Sequence, residues 1–354
     1  MRDHKVYGVG IVGAGMIAHF HAAALSEIEE VMLKGVYAPR VKSRDAFVEK
    51  WPCEPFTKLD ELLDSDNVDL ILIATPSGTH GEITKKAAQH GVHVLCEKPL
   101  EINTGRIDEM IAVCKKHQVL LGGIFNRRFN PAVEQLKFAV DQKRFGQLTI
   151  CDAQIKWYRT QEYYDSGGWR GTWALDGGGV LMNQAIHTID QLIYLAGPIL
   201  RLSAITKTIT HGNIEVEDNA VAMVEFESGA IGTIQASTSC WSLEGHAAQI
   251  NLSGTKGSVF MHDDRFSLWQ FDHDCSQDSF VKAELMLENK KALGANDPSA
   301  IDARGHIANI KDFVNALNGD VPLSIDGGEA RKAVQVIEAI YTSVDRGGQW
   351  IEIK

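Results

Sequence analysis

Two rhythms of apolar residues divide the chain. Up to about residue 122, short apolar runs alternate with segments of helical spacing. The runs are Val6–Val12 (VYGVGIV), Val31–Tyr37 (VMLKGVY), Val68–Ala74 (VDLILIA), Val92–Cys96 and Val119–Gly122. Apolar, β-branched runs of this kind suit strands buried on both faces, and their alternation with helices predicts a doubly wound parallel sheet. One helix is expected through about Gln89, where Gly91 ends it, and another from about Thr104 to His117.

Beyond Phe125–Pro131 (FNRRFNP), which marks a domain junction, the pattern changes. After one helix come strand candidates at Leu148–Arg159, Leu202–Ile209, Asp218–Phe226, Ala230–Thr238, Ala247–Ser253 and Ser258–His262, with a hairpin over Val224–Ile231. This predicts a mostly antiparallel open sheet with one face buried and one free. The expected organisation is an α/β Rossmann-type dinucleotide-binding domain over 1–124 and an α+β substrate-binding and oligomerisation domain over 125–354. From about Cys275 to Arg304 no period is clear, and Gly294–Ser299 (GANDPS) signals a loop, a lid candidate. Helices over about His306–Leu317 and Gly328–Arg346 and a strand over Gln349–Ile353 close the chain.

With 354 residues the chain is long enough for two domains. A net charge of −11 repels phosphate polyanions, so nucleic acid is not an expected partner. The six cysteines form no CxxC pair and no cluster with histidine, which predicts reduced thiols in a cytoplasmic setting, no disulfide framework and no metal site. The first strand candidate begins at Val6, leaving no room for a signal peptide, and no apolar run is long enough to span a membrane. The free face of the second sheet predicts a homodimer or homotetramer.

Gly13-Ala14-Gly15-Met16-Ile17-Ala18 is GxGxxA between a strand and a helix. Gly13 permits the tight turn, Gly15 a close pyrophosphate, and Ala18 close packing of helix on strand; Met16 and Ile17 start the helix whose N–H groups face the phosphates. A flavin or methyl-donor site is the competing reading. Where an NAD site carries an acid at the end of the second strand, this chain has Ala38, then Arg40. That favours NADP over NAD, with Arg40 paired to the 2′-phosphate; the alternative is a solvated basic helix start. Gly13, Ala38, Thr75 (followed by Pro76 and His80) and Glu97 all fall at strand ends and should line one crevice. Glu97-Lys98-Pro99 holds a lysine at the rim of the sheet, before a proline that suits a cis bond.

The second chemical stretch is WRGTWALDGGGVLMNQAIHTID, 169–190. Helical spacing puts Asn183, His187 and Asp190 on one face. Three polar groups there are costly in a core helix, although a capped helix with one buried, satisfied histidine is the plainer reading.

Taken together, GAGMIA (13–18), ATPSGTH (74–80), HVLCEKPL (93–100), GGGVLMNQAIHTID (177–190) and EVED (215–218) resemble the glucose–fructose oxidoreductase / inositol dehydrogenase / rhizopine-catabolism (Gfo/Idh/MocA) family of nicotinamide-dependent sugar dehydrogenases. The resemblance covers nearly the whole chain. It implies that Lys98 holds the reacting hydroxyl and that His187 is the acid/base. Asn183 stands where many members carry aspartate, a departure shared with branches resembling the nucleotide-sugar and sugar-phosphate 3-dehydrogenases. Asn126, Trp169 and Arg170 match positions that touch the cofactor.

The chemistry of the residues points the same way. Oxidising a secondary alcohol requires a proton acceptor, which suits histidine, and Lys98 stabilises alkoxide charge. Asn183 cannot titrate, so it orients a hydroxyl or the imidazole. Arg128, Arg159, Tyr163, Tyr164 and Arg170 are candidates to read a polyol, phosphate or carboxylate; ordinary loop surface is the alternative. The expected function is hydride transfer between NADP or NAD and a ring hydroxyl or keto group of a sugar, sugar derivative or cyclitol. The rivals are a lyase or hydrolase using bound nicotinamide for transient oxidation, and a non-catalytic sugar or nucleotide sensor.

Overall fold

The computed structural model describes residues 5–287 and 303–353. The lid expectation at Gly294–Ser299 lies outside them. Two compact units divide the chain: one runs to Asn126 and includes the segment ending at Arg331, and the other begins at Arg127 and resumes at Lys332.

In the first unit the elements are β1 (Tyr7–Val12), α1 (Met16–Leu25), β2 (Val31–Tyr37), α2 (Val41–Lys50), β3 (Glu54–Phe56), α3 (Leu59–Leu63), β4 (Leu70–Ile73), α4 (His80–Gln89), β5 (His93–Cys96), α5 (Thr104–His117) and β6 (Leu121–Gly123). The sheet order is β3-β2-β1-β4-β5-β6, every pair parallel. This is the doubly wound architecture that the apolar runs predict. All six residues of β1 and all four of β4 are buried, as a sheet covered on both faces requires. The boundaries of α5 obey local chemistry. Asn103 caps its start by accepting from the Arg106 N–H at 2.9 Å, and Gln118 ends it in the left-handed conformation (φ 57°).

The contact division is not linear. Ile310, Phe313 and Val314, in a helix over residues 304–317, join the core that holds Val9, Ile11, Leu70 and Leu72. Phe313 lies so near Gly122 that a Cβ there would come within 2.8 Å of its ring. The burial of one apolar stripe thus places a late helix in the first unit.

The second unit adds α6 (Pro131–Asp141), β7 (Leu148–Lys156), α7 (Gln161–Asp165), a π-helical turn over Leu181–Ala185, α8 (Ile186–Ala196), β8 (Ile199–Lys207), β9 (Asn219–Phe226), β10 (Ile231–Ser237), β11 (Gln249–Gly254), β12 (Gly257–His262), β13 (Arg265–Phe271) and α9 (Ser276–Phe280). The chain's later elements are α10 (Arg304–Leu317), α11 (Gly327–Asp345) and β14 (Ile351–Glu352). The sheet order is β13-β12-β11-β7-β10-β9-β8-β14, with β7–β10 its parallel pair and the other pairs antiparallel. Ala220, Ala222, Val224 and Phe226 of β9 point into the core, and α8 packs on β7 and β11. The other face exposes Ile150, Ile205, Val221, Met223 and Ile231, among which Ile205 pairs with Val221 and Ile231 with Ile150.

Three departures from the sequence reading have local causes. The sequence pattern does not predict strand β13, because a register shift between Phe260 and Met261 interrupts the alternation where β12 meets it. Strand β7 stops at Lys156; Trp157 and Arg159 then bond singly to the Ser237 and Thr238 carbonyls. The 180–190 run is helical, but it opens with a π-turn rather than a uniform α-helix. Among the described residues no helix is long and apolar enough to cross a membrane.

Candidate functional site

In the first unit, β2, β1, β4 and β5 are parallel neighbours, so Ala38, Gly13, Thr75 and Glu97 succeed one another along the carboxyl edge of the sheet. Gly13 adopts φ +111°, and a Cβ there would come 2.5 Å from the Ala74 carbonyl oxygen. Gly15 is the opposite case: a Cβ would enter open space. It caps α1 with extended backbone and no side-chain hydrogen bond, and no acid occupies the first turn. Ala18 behind it is fully buried. An open cradle at the uncapped start of a helix fits a dinucleotide pyrophosphate. Met16 and Ile17 begin that helix, with Met16 exposed. Ala38 is buried, and the exposed Arg40 caps α2, whose first turn also lacks an acid.

The strand ends are tied to one another. The hydroxyls of Thr75 and Thr79 lie 2.8 Å apart, and Thr79 donates to the Pro76 carbonyl at 2.6 Å. His80 is buried, with its ring nitrogens 3.0 Å from the Pro99 carbonyl and 2.9 Å from that of Thr75. It therefore staples the two loops. The Lys98–Pro99 peptide is cis, and Lys98 is half-buried. Glu97 bonds the His21 ring at 2.7 Å through one oxygen and accepts from the Lys98 N–H at 3.1 Å through the other. Asn126 bonds the His306 ring at 3.2 Å, and the His21 and His306 rings meet edge to face.

His21, Glu97 and His306 bring three donor atoms within 4.8 Å of one another, a set of metal-ligating type among the described residues. The 2.7 Å contact between His21 and Glu97 is of hydrogen-bond length. Burial alone would raise the Glu97 carboxyl. The His21 hydrogen bond and the charges of His21, His306 and Lys98 outweigh it and hold the group down at about 2.

In the second unit, Asn183 lies inside the π-turn and His187 is the second residue of α8; both are half-buried. The Asn183 amide is held on both sides. Its nitrogen donates to Asp176 at 2.7 Å, and its oxygen accepts from Gln184 at 2.8 Å and Tyr163 at 3.3 Å. Asp176, fully buried, also accepts from the Gly171 N–H at 2.9 Å. Arg170 stacks over Tyr163 and Trp169 (4.7 and 5.0 Å to the ring centres), and Arg159 lies 5.6 Å from the Tyr163 centre. Arg159 also donates to Gln184 at 3.0 Å. A cavity of about 360 Å³ adjoins these groups, lined by Tyr158, Arg159, Tyr163, Trp241 and Leu243. A slightly larger one, about 390 Å³, lies around Lys5, Tyr7 and Asp69, near the amino ends of β1 and β4 and away from the motifs.

Asp190 and Arg128 face one another. They form a buried two-pronged ion pair at 2.8 and 2.6 Å, with Arg128 also stacked 4.6 Å from the Tyr194 ring centre. The geometry gives Arg128, a candidate for reading the substrate, a buried charge partner in Asp190. Tyr164 is buried and bonds Thr238 at 2.9 Å.

Sequence reasoning passes over His21, Asp176, Tyr341 and the role of Glu217. Asp176 precedes the glycine run and Glu217 sits in the EVED stretch, so both lie within motifs; His21 lies in α1 beyond the glycine turn, and neither it nor Tyr341 carries a local signal. The Glu217 carboxyl is pushed up to about 7 by burial, against the pull of hydrogen bonds from the Leu181 N–H, the Tyr341 hydroxyl and the Gly179 N–H.

A doubly wound sheet with this open turn at its first strand defines a dinucleotide-binding protein, here joined to a second unit of a different architecture. Comparison with known proteins makes the class specific. Residues 7–124 match the model of the oxidoreductase family with an NAD-binding Rossmann fold, and residues 133–260 match the GFO/IDH/MocA C-terminal domain. The chain belongs to the GFO/IDH/MocA oxidoreductase family. It is 29% identical over 262 residues to myo-inositol 2-dehydrogenase of Thermotoga maritima, covering 71% of this chain and 74% of that one. It is 25% identical over 266 residues to 2,7-anhydro-N-acetylneuraminate hydratase of Mediterraneibacter gnavus (72% and 67%). Among solved structures, the WlbA dehydrogenase of Bordetella pertussis, in complex with NADH and UDP-GlcNAcA, superposes with a TM-score of 0.90. It is 29% identical and covers 100% of this chain and 99% of that one.

The depressed Glu97 carboxyl makes a prediction with a definite sign. A carboxyl held below its ordinary 4.5 contributes stability above that pH and loses it as pH falls towards 2. Glu97→Gln should be roughly 3 kcal/mol less stable than wild type near pH 6, with the gap closing as the solution is acidified. Denaturant unfolding at a series of pH values measures this. A gap that does not change with pH would contradict the ion-paired state of Glu97.

Proposed function

We propose that this chain is a nicotinamide-dependent dehydrogenase acting on a ring hydroxyl of an acidic sugar derivative, with position three of a nucleotide-linked glycosyl unit as the reacting carbon. The observation that carries the reading is the fixed Asn183 amide, near His187 in the chain, with Arg159 and Arg170 arrayed around the Tyr163 that bonds it. Two guanidinium groups beside an oriented amide suit a substrate with a carboxylate or phosphate better than a neutral cyclitol. The ligand of the WlbA complex, UDP-GlcNAcA, is of that kind.

In this reading a bound nicotinamide supplies the hydride acceptor. Gly13, Gly15 and the start of α1 hold the pyrophosphate. Thr75, Pro76 and Glu97 line the crevice at the strand ends, with His80 bracing it from behind, and Asn126, Trp169 and Arg170 contact the cofactor. Lys98 holds the reacting hydroxyl and favours alkoxide charge as it develops. His187 takes the hydroxyl proton. Asn183, fixed and unable to titrate, orients the hydroxyl.

The end of β2 sets the cofactor preference. Ala38 offers no carboxylate to a ribose 2′-hydroxyl and no repulsion to a 2′-phosphate, and Arg40 is exposed beside it. NADP is therefore the favoured cofactor. The apolar outer face of the second sheet suits a second copy of the chain, giving a dimer or tetramer.

The test is a screen at the reduced-nicotinamide absorbance band, with NADP and NAD, against nucleotide-sugar acids, sugar phosphates, neutral sugars and inositols. Turnover should be fastest with an acidic sugar and NADP, and Ala38→Asp should shift the preference towards NAD. Inositol turnover without acidic-sugar turnover would refute the substrate class. Tenfold tighter binding of NAD than NADP, about 1.4 kcal/mol, would refute the cofactor assignment. Product formed with no net reduced nicotinamide would instead favour transient oxidation. Light scattering at micromolar concentration should give at least a dimer; a monomer would remove the sheet-face interface.

A further inference from the structure

We propose that Glu217 is the positioning residue for Asn183 and His187, a role that rests on reading those two as groups acting on the substrate. The first N–H groups of a helix have no partner within it. At this helix start, three consecutive ones are met by a single residue. Oε2 of Glu217 accepts from Gly179 at 3.1 Å, its backbone carbonyl from Val180 at 2.9 Å, and Oε1 from Leu181 at 3.0 Å. Tyr341 completes the clamp by donating its hydroxyl to Oε1 at 3.1 Å. Burial, reinforced by the adjacent Glu217, holds that hydroxyl protonated far above its ordinary range, so it remains a donor.

The glycine run is the counterpart of this clamp. A Cβ on Gly179 would lie 1.7 Å from the Glu217 carbonyl oxygen, and one on Gly178 would lie 2.2 Å from the Tyr341 hydroxyl. Neither position tolerates a side chain while Glu217 keeps its bonds. The clamp matters because it grips the root of the segment that carries the two polar groups. Leu181, held by Oε1, is the first residue of the π-turn; Asn183 lies within that turn, and His187 is at the start of α8. A π-turn offsets every later side chain relative to a continuous α-helix. Fixing where the turn begins therefore fixes the directions of Asn183 and His187. Glu217 acts through the backbone and touches no reacting atom in this role.

The test compares Glu217→Ala, Glu217→Gln and Tyr341→Phe, each read by amide hydrogen exchange over 179–185 without substrate and by the kcat and KM of the full-length enzyme. Glu217→Ala should speed exchange at Gly179 and Leu181 by at least about tenfold and lower kcat by about 10- to 100-fold, with cofactor affinity unchanged. Glu217→Gln should recover part of the loss, because its amide oxygen still accepts one of the bonds. Tyr341→Phe, which keeps the carboxylate, should lose kcat by about three- to tenfold, and it carries the test if Glu217→Ala does not fold. A variant that merely melts at lower temperature, with kcat per folded molecule intact, overturns the proposal. So does unchanged exchange over 179–185. The exchange arm needs no activity: if His187 proves not to be the acid/base, the functional reading fails while the exchange result still decides whether the clamp exists.

Discussion

Each half of the chemistry depends on a place where two stretches of backbone touch with no side chain between them. In the second unit the strand lead-in at Glu217 presses against Gly179, and that approach lets one residue reach three N–H groups at the start of the helix that carries Asn183 and His187. In the first unit Gly13 presses against the Ala74 carbonyl while its own N–H bonds Tyr37, and this seats the open Gly15 turn between two strand ends. A methyl group at either glycine would push the touching backbones apart. Since helix starts and strand ends are where unpaired N–H groups gather, these contacts place binding capacity where a ligand or a reacting group can use it.

The buried carboxylates divide the remaining work. Asp176 orients the Asn183 amide, Glu97 ties the Lys98 backbone to His21, and Asp190 neutralises Arg128. Asp218, next to Glu217, accepts from the N–H groups of Ile209 and Thr210. Burial would raise its carboxyl, but these bonds hold it well below the ordinary range. Asp176, Glu97 and Asp218 each accept at least one loop N–H, from Gly171, Lys98, and Ile209 with Thr210, and so fix the loops beside them. Lys98, Asn183 and His187 are half-buried, as are Asn126, Tyr163 and Arg170.

Much of this is legible in the sequence because it rests on short-range signals. The parallel sheet is written in runs such as VDLILIA, the helix over Thr104–His117 in its period, and the GAGMIA turn in glycine spacing. The motifs in combination point to the family, and the matches over 7–124 and 133–260 establish it. The features that escape depend on partners far apart in the chain. Nothing local marks Tyr341 as the donor to Glu217, or Arg128 as the mate of Asp190. The π-turn is invisible to periodicity, and the residue that holds its start, Glu217, lies far along the chain. Helix α10 contributes to the first unit's core through an apolar stripe whose destination its own sequence does not specify.

The central claim is that His187 moves the proton while other residues hold the cofactor. It is tested most directly by measuring kcat across pH, together with nicotinamide affinity, for wild type and His187→Ala on the best substrate of the screen. The account predicts a fall in kcat of roughly 10²–10⁴, the range for losing a positioned acid/base, with loss of the rise in rate through neutrality and with cofactor affinity unchanged. A His187→Ala enzyme that kept the full rate and the same rise with pH would contradict it, and would leave Lys98 as the base.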